Sequence, residues 1–146
     1  MMLVVHRDPG YVALMTAIAR LSLVALDCPD PLALARFYAS ITGWEVADDD
    51  SGWDGTEDWV QLKAPAGATL AFQLSNDFQP PSWPSADHPQ QLHLDFDVPD
   101  LDAGEAAVLA IGARKADVQP GTTFRVYLDP AGHPFCLCYV ADSPSA

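Results

Sequence analysis

Residues 21–44, LSLVALDCPDPLALARFYASITGW, decide the fold because residues 91–114, QLHLDFDVPDLDAGEAAVLAIGAR, repeat their plan. Each stretch reads as an apolar or alternating strand, an Asp-x-Pro-Asp turn, a helix and a glycine. The two turns begin at Asp27 and Asp97, 70 positions apart. A fixed spacing of this kind is typical of an internal duplication.

A second repeated motif supports the duplication. The tripeptide Pro-Ala-Gly occurs at 65–67 and again at 130–132, each time before an apolar strand. Two matches in the same order along the chain predict two similar halves.

Capping residues and the spacing of apolar residues predict one helix in each half. Asp30 is a good N-cap, Pro31 suits the first helical position, and Gly43 supplies a stop. Apolar residues recur between them at helical spacing, namely Leu34, Phe37, Tyr38 and Ile41. In the second half, Asp100 or Asp102 is expected to cap a helix. Its buried side is expected to carry Leu101, Val108, Leu109 and Ile111.

Short strand patterns follow each helix. In the first half they cover 44–48, 58–63 and 68–75, and in the second half 114–118, 123–128 and 134–140. The Pro-rich stretch between the halves is typical of a linker.

The expected organisation is an N-terminal extension at 1–19, a domain at 20–141 (module one 20–76, linker 77–89, module two 90–141) and a tail at 142–146. Residues 1–14 are expected to be dispensable for folding.

Composition narrows the classes of function. The chain has 146 residues, 49% of them hydrophobic, which is typical of a folded domain. Its 20 acidic residues against 7 basic ones give a net charge of -13. Such a surface repels phosphates, so nucleic acid and anionic membranes are not expected partners, whereas a cationic or neutral ligand is.

The number of cysteines and the N-terminal sequence indicate in which cellular compartment the protein is expected. Three cysteines do not make a disulfide framework, so we expect a reducing cytoplasm. The apolar stretch 11–19 superficially resembles a signal peptide, but Asp8-Pro9-Gly10 interrupts it and a strand pattern follows directly.

Three segments carry a family resemblance: DCPDPLALARFYASITGW from Asp27, HLDFDVPDLD from His93 and YLDPAGHPFCL from Tyr127. Together they resemble the glyoxalase/bleomycin resistance/dioxygenase family of the vicinal oxygen chelate superfamily. The resemblance implies an α+β fold in which two βαβββ modules form a curved mixed sheet around a cleft, with the helices outside. It also implies a homodimer. It does not imply one reaction, because lyases, dioxygenases and drug-binding proteins share this scaffold.

Strand 91–98 alternates, so its two faces are predicted separately. Leu92, Leu94, Phe96 and Val98 are expected to pack against helices, and Gln91, His93, Asp95 and Asp97 to face the cleft.

Metal-dependent relatives draw His or Glu ligands from four strand positions, which correspond here to Leu23, Gln73, His93 and Cys136. The first-half assignment is open by two residues, because the hairpins differ in length. Leu23 cannot bind a metal and Gln73 is a weak donor, so the resemblance implies an incomplete site and no expected cofactor. A divalent metal stays an alternative, through His93 and Asp95 with His133 or His88 as a distant third ligand.

An acidic, aromatic loop favours a flat or cationic ligand through stacking and cation–π attraction. Its residues are Glu45, Asp48, Asp49, Asp50, Trp53, Asp54, Glu57, Asp58 and Trp59, with Trp44 and Trp83 as further candidates. The alternative is a solvated loop with Trp44 and Trp59 in the core. The residues expected to contact a ligand are Gln73, His93, Asp95, Trp53, Trp59 and Cys136.

Two functions follow. The first is a small-molecule-binding protein that sequesters a cationic or aromatic ligand, as drug-resistance relatives do. The second is an enzyme of lyase or dioxygenase type, either metal-dependent or using His93 as a general acid–base, since imidazole exchanges protons near neutral pH. Cys136 lies mid-strand with no basic neighbour in sequence, which favours a packed thiol over a nucleophile.

Overall fold

The computed structural model describes residues 17–47 and 58–142. Two βαβββ modules follow each other, as the duplication predicts. The first contains β1 (Leu23–Cys28), α1 (Pro31–Thr42), β2 (Glu45–Val46), β3 (Trp59–Lys63) and β4 (Thr69–Leu74). The second contains β5 (Leu94–Val98), α2 (Leu101–Ala110), β6 (Arg114–Lys115), β7 (Phe124–Leu128) and β8 (Pro134–Tyr139).

Each module builds one mixed sheet with the same topology. The strand orders are β1-β4-β3-β2 and β5-β8-β7-β6. In both sheets the first strand pairs in parallel with the last, and the other pairs are antiparallel. This is the predicted architecture, with the two sheets remaining unclosed.

The predicted strand over 91–98 is shorter in the structure. The ladder between β5 and β8 begins with Leu94 opposite Phe135. The residue before Phe135 is Pro134, which has no N–H to donate, so pairing does not extend back to His93. The strands predicted at 44–48 and 114–118 shrink to two residues at sheet edges.

The helix ends follow from their capping residues. The Asp30 carboxylate accepts a hydrogen bond from the backbone N–H of Ala33 at 3.0 Å. Gly43 then ends α1 in the left-handed conformation, at a φ of 70°. Asp100 caps α2, accepting from the N–H groups of Asp102 and Ala103.

The face of α2 that packs on the sheet differs from the prediction. Val108 is buried and Leu101 partly buried, but Leu109 and Ile111 are exposed at 42% and 38%. Gly104 lies on the packed face, where an added Cβ would sit only 3.0 Å from a methyl group of Leu137. Because the helix approaches β8 through this glycine, the neighbouring face carrying Leu109 turns to solvent.

One core serves both modules. Tyr38 of α1 stacks on Phe72 of its own module, with ring centroids 5.6 Å apart, and packs edge-on against Phe135 of the second module at 6.3 Å. The Tyr38 hydroxyl donates a 2.7 Å hydrogen bond to the buried carboxylate of Asp129, in the turn between β7 and β8. The two halves are therefore joined through α1.

An ionic cluster ties α2 to its sheet. Glu105 accepts from Arg125 and from the Tyr127 hydroxyl, both at 2.9 Å, and pairs with Lys115 at 2.8 Å. These donors, led by Lys115, lower the pKa of Glu105. Neither helix in residues 17–47 and 58–142 has the length and apolar character needed to cross a membrane.

Candidate functional site

Over Leu94–Val98 the second sheet separates its two faces as the alternation predicts, but the prediction is wrong for Leu92, which lies before the strand and is 47% exposed. Leu94, Phe96 and Val98 pack against the shared core, while Asp95 and Asp97 are exposed on the other face. On β8, Phe135 and Leu137 belong to the core. Cys136 and Cys138 lie on the opposite face, in a small cluster with Trp83, Phe124 and Val126. This second face carries the polar candidates.

Three candidate residues come together on this face. The register pairs Asp95 directly with Cys136, and His93 precedes Asp95 by two residues on the same side. The His93 Nε2 atom is 3.4 Å from Asp95 Oδ1. One ligand atom from each of His93, Asp95 and Cys136 falls within 4.8 Å of the others. We call this set the His-Asp-Cys cluster.

The thiol in the cluster is held protonated at neutral pH. Cys136 is 7% exposed. Burial, followed by the negative charge of Asp95, raises its pKa to about 12. A protonated thiol is a poor nucleophile, which agrees with the interpretation of Cys136 as a packed thiol.

A small cavity of about 180 Å³ opens beside the cluster. Trp83, Phe124, Val126 and Pro134 give it apolar walls, and His93 and Cys136 contribute to its lining. Trp83 comes from the segment between the modules. A cavity of this size admits one small ring or a few waters.

The first sheet holds the other candidates. Gln73 is opposite Trp59 on β3 and beside Asp27 on β1, so these three side chains share a face. Neither Gln73 nor Trp59 lines the small cavity at His93. Trp53 falls outside the described residues, as does the acidic stretch from Asp48 to Glu57.

Strand register resolves the position that the sequence leaves open by two residues. Ala25 pairs with Ala71, and its repeat partner Asp95 pairs with Cys136. Ala71 is therefore the counterpart of Cys136, and Gln73 that of Cys138. Since Leu23 and Ala71 carry no ligating atom, the first module does not fit the metal ligation that the family resemblance implies.

The two histidines considered as a distant third ligand are elsewhere. His88 and His133 line a second, larger cavity, and neither belongs to the His-Asp-Cys cluster. The His133 ring donates from Nε2 to the backbone carbonyl of Asp27 at 2.7 Å, because a carbonyl can only accept. In the described part of the chain, the third donor near His93 is Cys136.

The larger cavity has a volume of about 510 Å³. It lies between β1, the segment joining the modules and the turn before β8. Three of its lining residues are carboxylates, Asp27, Asp77 and Asp87, and no lysine or arginine is among the described residues that line it. Phe78 adds an aromatic ring, which packs on the His133 ring with centroids 5.2 Å apart.

The sequence did not predict this cavity, because half of its lining residues belong to the segment 77–89, which was interpreted as a linker. That segment is held by internal hydrogen bonds. The Ser82 N–H donates to the His88 carbonyl at 2.7 Å, and the Ser85 hydroxyl donates to Asp87 at 3.0 Å. One sequence feature could have indicated the cavity. The segment combines acidic and aromatic residues with prolines, a composition that is compatible with the lining of a binding site as well as with a linker.

Trp44 and Trp83 have different surroundings. Trp44 is partly buried against the core, as the solvated-loop alternative supposes. Trp83 faces the small cavity instead.

The reactivity of the cysteines tests whether burial raises the pKa of the Cys28 and Cys136 thiols. Burial raises the pKa of Cys28 to about 11, and Cys136 is affected in the same way. Both should react with an alkylating reagent at least about 100-fold more slowly than an exposed cysteine at neutral pH. Cys138 is less buried and should react first, so a Cys138→Ser variant should lose the fast phase. Rapid labelling of Cys136, read by peptide mass spectrometry, would contradict the description.

Comparisons with known proteins address the fold. A family model described as a glyoxalase-like domain matches residues 23–138. A glyoxalase/bleomycin resistance protein/dioxygenase family enzyme from Burkholderia phytofirmans PsJN has a TM-score of 0.63 at 18% identity, covering 84% of this chain and 99% of that chain. A glyoxalase/dioxygenase from Nostoc punctiforme has a TM-score of 0.60 at 19% identity, covering 94% and 98%. A comparison with curated protein sequences finds no match. At these identities the solved structures establish the fold alone.

Proposed function

The chain belongs to the glyoxalase-like domain family, and we propose that it is a small-molecule-binding member that sequesters a cationic or aromatic compound in its larger cavity. The observation that carries this proposal is the cavity of about 510 Å³ whose lining includes the carboxylates Asp27, Asp77 and Asp87 and two histidines, with no lysine or arginine among its described residues. Its volume lies within the range of small-ligand sites.

The chemistry of the cavity favours an organic cation. Asp27, Asp77 and Asp87 are all exposed, so their attraction for a cation acts partly through water and should weaken as the salt concentration is raised. The face of the Phe78 ring adds cation–π and stacking contacts. The net charge of -13 attracts cations from a distance as well, which speeds encounter.

Binding in this cavity needs no metal cofactor in our proposal. The residues that line it offer carboxylates, imidazoles, amides, a hydroxyl and apolar groups, all of which can contact an organic ligand without a metal. A chelator should therefore leave the affinity unchanged.

We also propose that the protein is a cytoplasmic homodimer. The family resemblance and the three free cysteines support these two assignments. Light scattering should return about twice the chain mass of 15.7 kDa. A monomer mass at micromolar concentration would remove this part of the proposal.

Charge removal in the cavity tests the binding proposal. The probe is proflavine, a planar organic cation, followed by fluorescence or calorimetry. The double variant Asp77→Asn/Asp87→Asn should weaken its binding about tenfold or more, because two carboxylates next to the ligand are lost. Adding Phe78→Ala to this double variant should weaken proflavine binding further.

A matched control separates the cavity from general charge attraction. Asp117 and Asp142 are exposed and lie outside the cavity lining. Asp117→Asn/Asp142→Asn makes the same change in net charge and should leave affinity within about twofold, since distant exposed charges are screened by salt. Equal losses in the two double variants would show binding by net charge alone and would exclude the cavity.

A further inference from the structure

We propose that residues 77–92, which join the two modules, form a strap that closes over the larger cavity when a cation binds there and that moves Trp83 in the small cavity as it closes. This inference rests on the proposed function, because the cation is the ligand proposed for the larger cavity. It adds that the two cavities are coupled, so that binding in one changes the other.

The strap contributes a wall to each cavity. Asp87 and His88 line the larger cavity, whereas Trp83 lines the small one. Gln90 lines the small cavity, and the next residue, Gln91, lines the larger one. The strap is therefore the partition between the two cavities, and a displacement of the strap changes the shape of both.

The part of the strap that carries Trp83 is one hydrogen-bonded loop. Its ends are joined twice, because the Ser82 N–H donates to the His88 carbonyl at 2.7 Å and the His88 N–H donates to the Ser82 hydroxyl at 2.9 Å. Inside the loop, the Ser85 N–H donates to the Ser82 carbonyl at 2.7 Å, and the Ser85 hydroxyl donates to Asp87 at 3.0 Å. These bonds hold the loop in one shape, so Trp83 and Asp87 are expected to move together.

Apolar packing attaches the strap to the modules. Among the described residues, the hydrogen bonds of the strap stay within the strap, apart from one to Ser75. The Phe78 ring packs on His133, with ring centroids 5.2 Å apart, and Trp83 packs in the apolar cluster around Phe124. Four prolines restrict the backbone of the strap. A segment that is bonded internally and held to its surroundings by packing can move as a rigid body.

The charges around the larger cavity supply the driving force for closure. Asp27 borders the cavity from the first module, and Asp77 and Asp87 border it from the strap. Repulsion between these carboxylates favours an open strap, whereas a cation between them is attracted to both sides and favours a closed one. The cation therefore binds the closed strap more tightly, which is the condition for a ligand to shift such an equilibrium.

Gly132 marks the place where the strap meets the second module. A Cβ added to Gly132 would lie 2.8 Å from Cβ of Pro80, so Gly132→Ala should displace the strap from this turn. Gly67 is the repeat counterpart of Gly132 and has a similar left-handed backbone, with a φ of 77° against 97°. A Cβ added to Gly67 meets nothing within 4 Å. Gly67→Ala is therefore the matched control for backbone strain.

Fluorine NMR of the full chain labelled with fluorotryptophan follows the strap, and proflavine is the probe. The chain has four tryptophans, and the resonance lost in Trp83→Phe is that of Trp83. Proflavine should shift this resonance along the same saturation curve as binding measured by calorimetry. The resonance of Trp44, assigned with Trp44→Phe, should stay in place because Trp44 packs against the core.

Two sets of variants test the coupling without a ligand. Gly132→Ala should shift the Trp83 resonance of the free protein and weaken proflavine binding about fivefold or more, whereas Gly67→Ala should keep the resonance in place and the affinity within about twofold. Asp77→Asn/Asp87→Asn should move the Trp83 resonance of the free protein towards its position in the proflavine complex, because the repulsion across the cavity is reduced. Circular dichroism of every variant verifies the fold.

The outcomes distinguish the strap from the proposed function. A Trp83 resonance that stays in place while proflavine binds through Asp77 and Asp87 would overturn the coupling and leave the proposed function intact. Equal effects of Gly132→Ala and Gly67→Ala would also overturn it, since they would reflect backbone strain alone. If proflavine does not bind, the proposed function fails and the free protein tests the strap. A Trp83 resonance that shifts in Gly132→Ala alone then supports the coupling, and one that shifts in neither variant excludes it.

Discussion

Replacing Asp129 with alanine is expected to lower the free energy of unfolding by about 3–4 kcal/mol. The Asp129 side chain is almost fully buried and accepts three hydrogen bonds. The donors are the Tyr38 hydroxyl at 2.7 Å and the backbone N–H groups of Ala131 and His133 at 2.9 and 3.0 Å. Alanine leaves all three donors without this acceptor. The loss would also remove the hydrogen bond that links α1 to the second module, leaving only the ring packing of Phe37 and Tyr38 on Phe135 between them.

Two further variants separate the role of the hydrogen bonds from that of the charge. Tyr38→Phe removes one bond and should cost about 1–2 kcal/mol. Asp129→Asn keeps an oxygen for the backbone donors and an amide for Tyr38, so it should retain most of the stability. Urea unfolding at neutral pH measures all three. A cost below about 1 kcal/mol for Asp129→Ala would show that the turn forms without this carboxylate.

The same contact predicts a response to alkaline pH. Burial, and then the negative charge of Asp129, raises the pKa of Tyr38 well above its usual value. The protonated phenol therefore contributes stability in full below the unfolded value of about 10, and this contribution is lost as pH rises above it. Between about pH 8 and pH 11, Tyr38→Phe should lose less stability than the wild type. An equal decline in both proteins would contradict this assignment.

The fold could be predicted from sequence because its information is local and repeated. The turns at 27–30 and 97–100, the Asp30 cap and the Gly43 stop each specify backbone geometry within a few residues. Alternation separated core from outward-facing side chains correctly over Leu94–Val98, because the pleat has a period of two, and failed at Leu92, which precedes the strand and is exposed. The misassigned face of α2 has a non-local cause, the close approach of Gly104 to Leu137.

The sites were less predictable because they depend on strand register and on the segment joining the modules. Asp95 meets Cys136 only through the β5–β8 pairing, which links positions 41 residues apart across α2 and two further strands. Hairpin lengths differ between the halves, so the counterpart of Cys136 could not be counted from the sequence. The carboxylates Asp77 and Asp87 come from a segment without regular structure, whose path no periodic pattern specifies.

Removing the ring at the centre of the shared core should have the other large effect. Phe135→Ala is expected to cost about 3–5 kcal/mol, because a fully buried aromatic side chain is lost and leaves a cavity. Phe135 is 0% exposed. Its ring packs against rings of both modules, Phe37 and Tyr38 from the first and Phe96 and Tyr127 from the second. Because rings of both modules surround that space, filling it would require both modules to move.

Phe124→Ala is the matched control, since it removes the same side chain from the adjacent strand on the opposite face. Phe124 is only partly buried and lines the small cavity, so its loss should cost about 1–2 kcal/mol. Urea unfolding, followed by circular dichroism and by tryptophan fluorescence, measures both variants. Because the core is shared, the two signals should change together in the wild type. Equal costs for the two substitutions, or separate transitions for the two signals, would show that each module has its own core and that Phe135 does not join them.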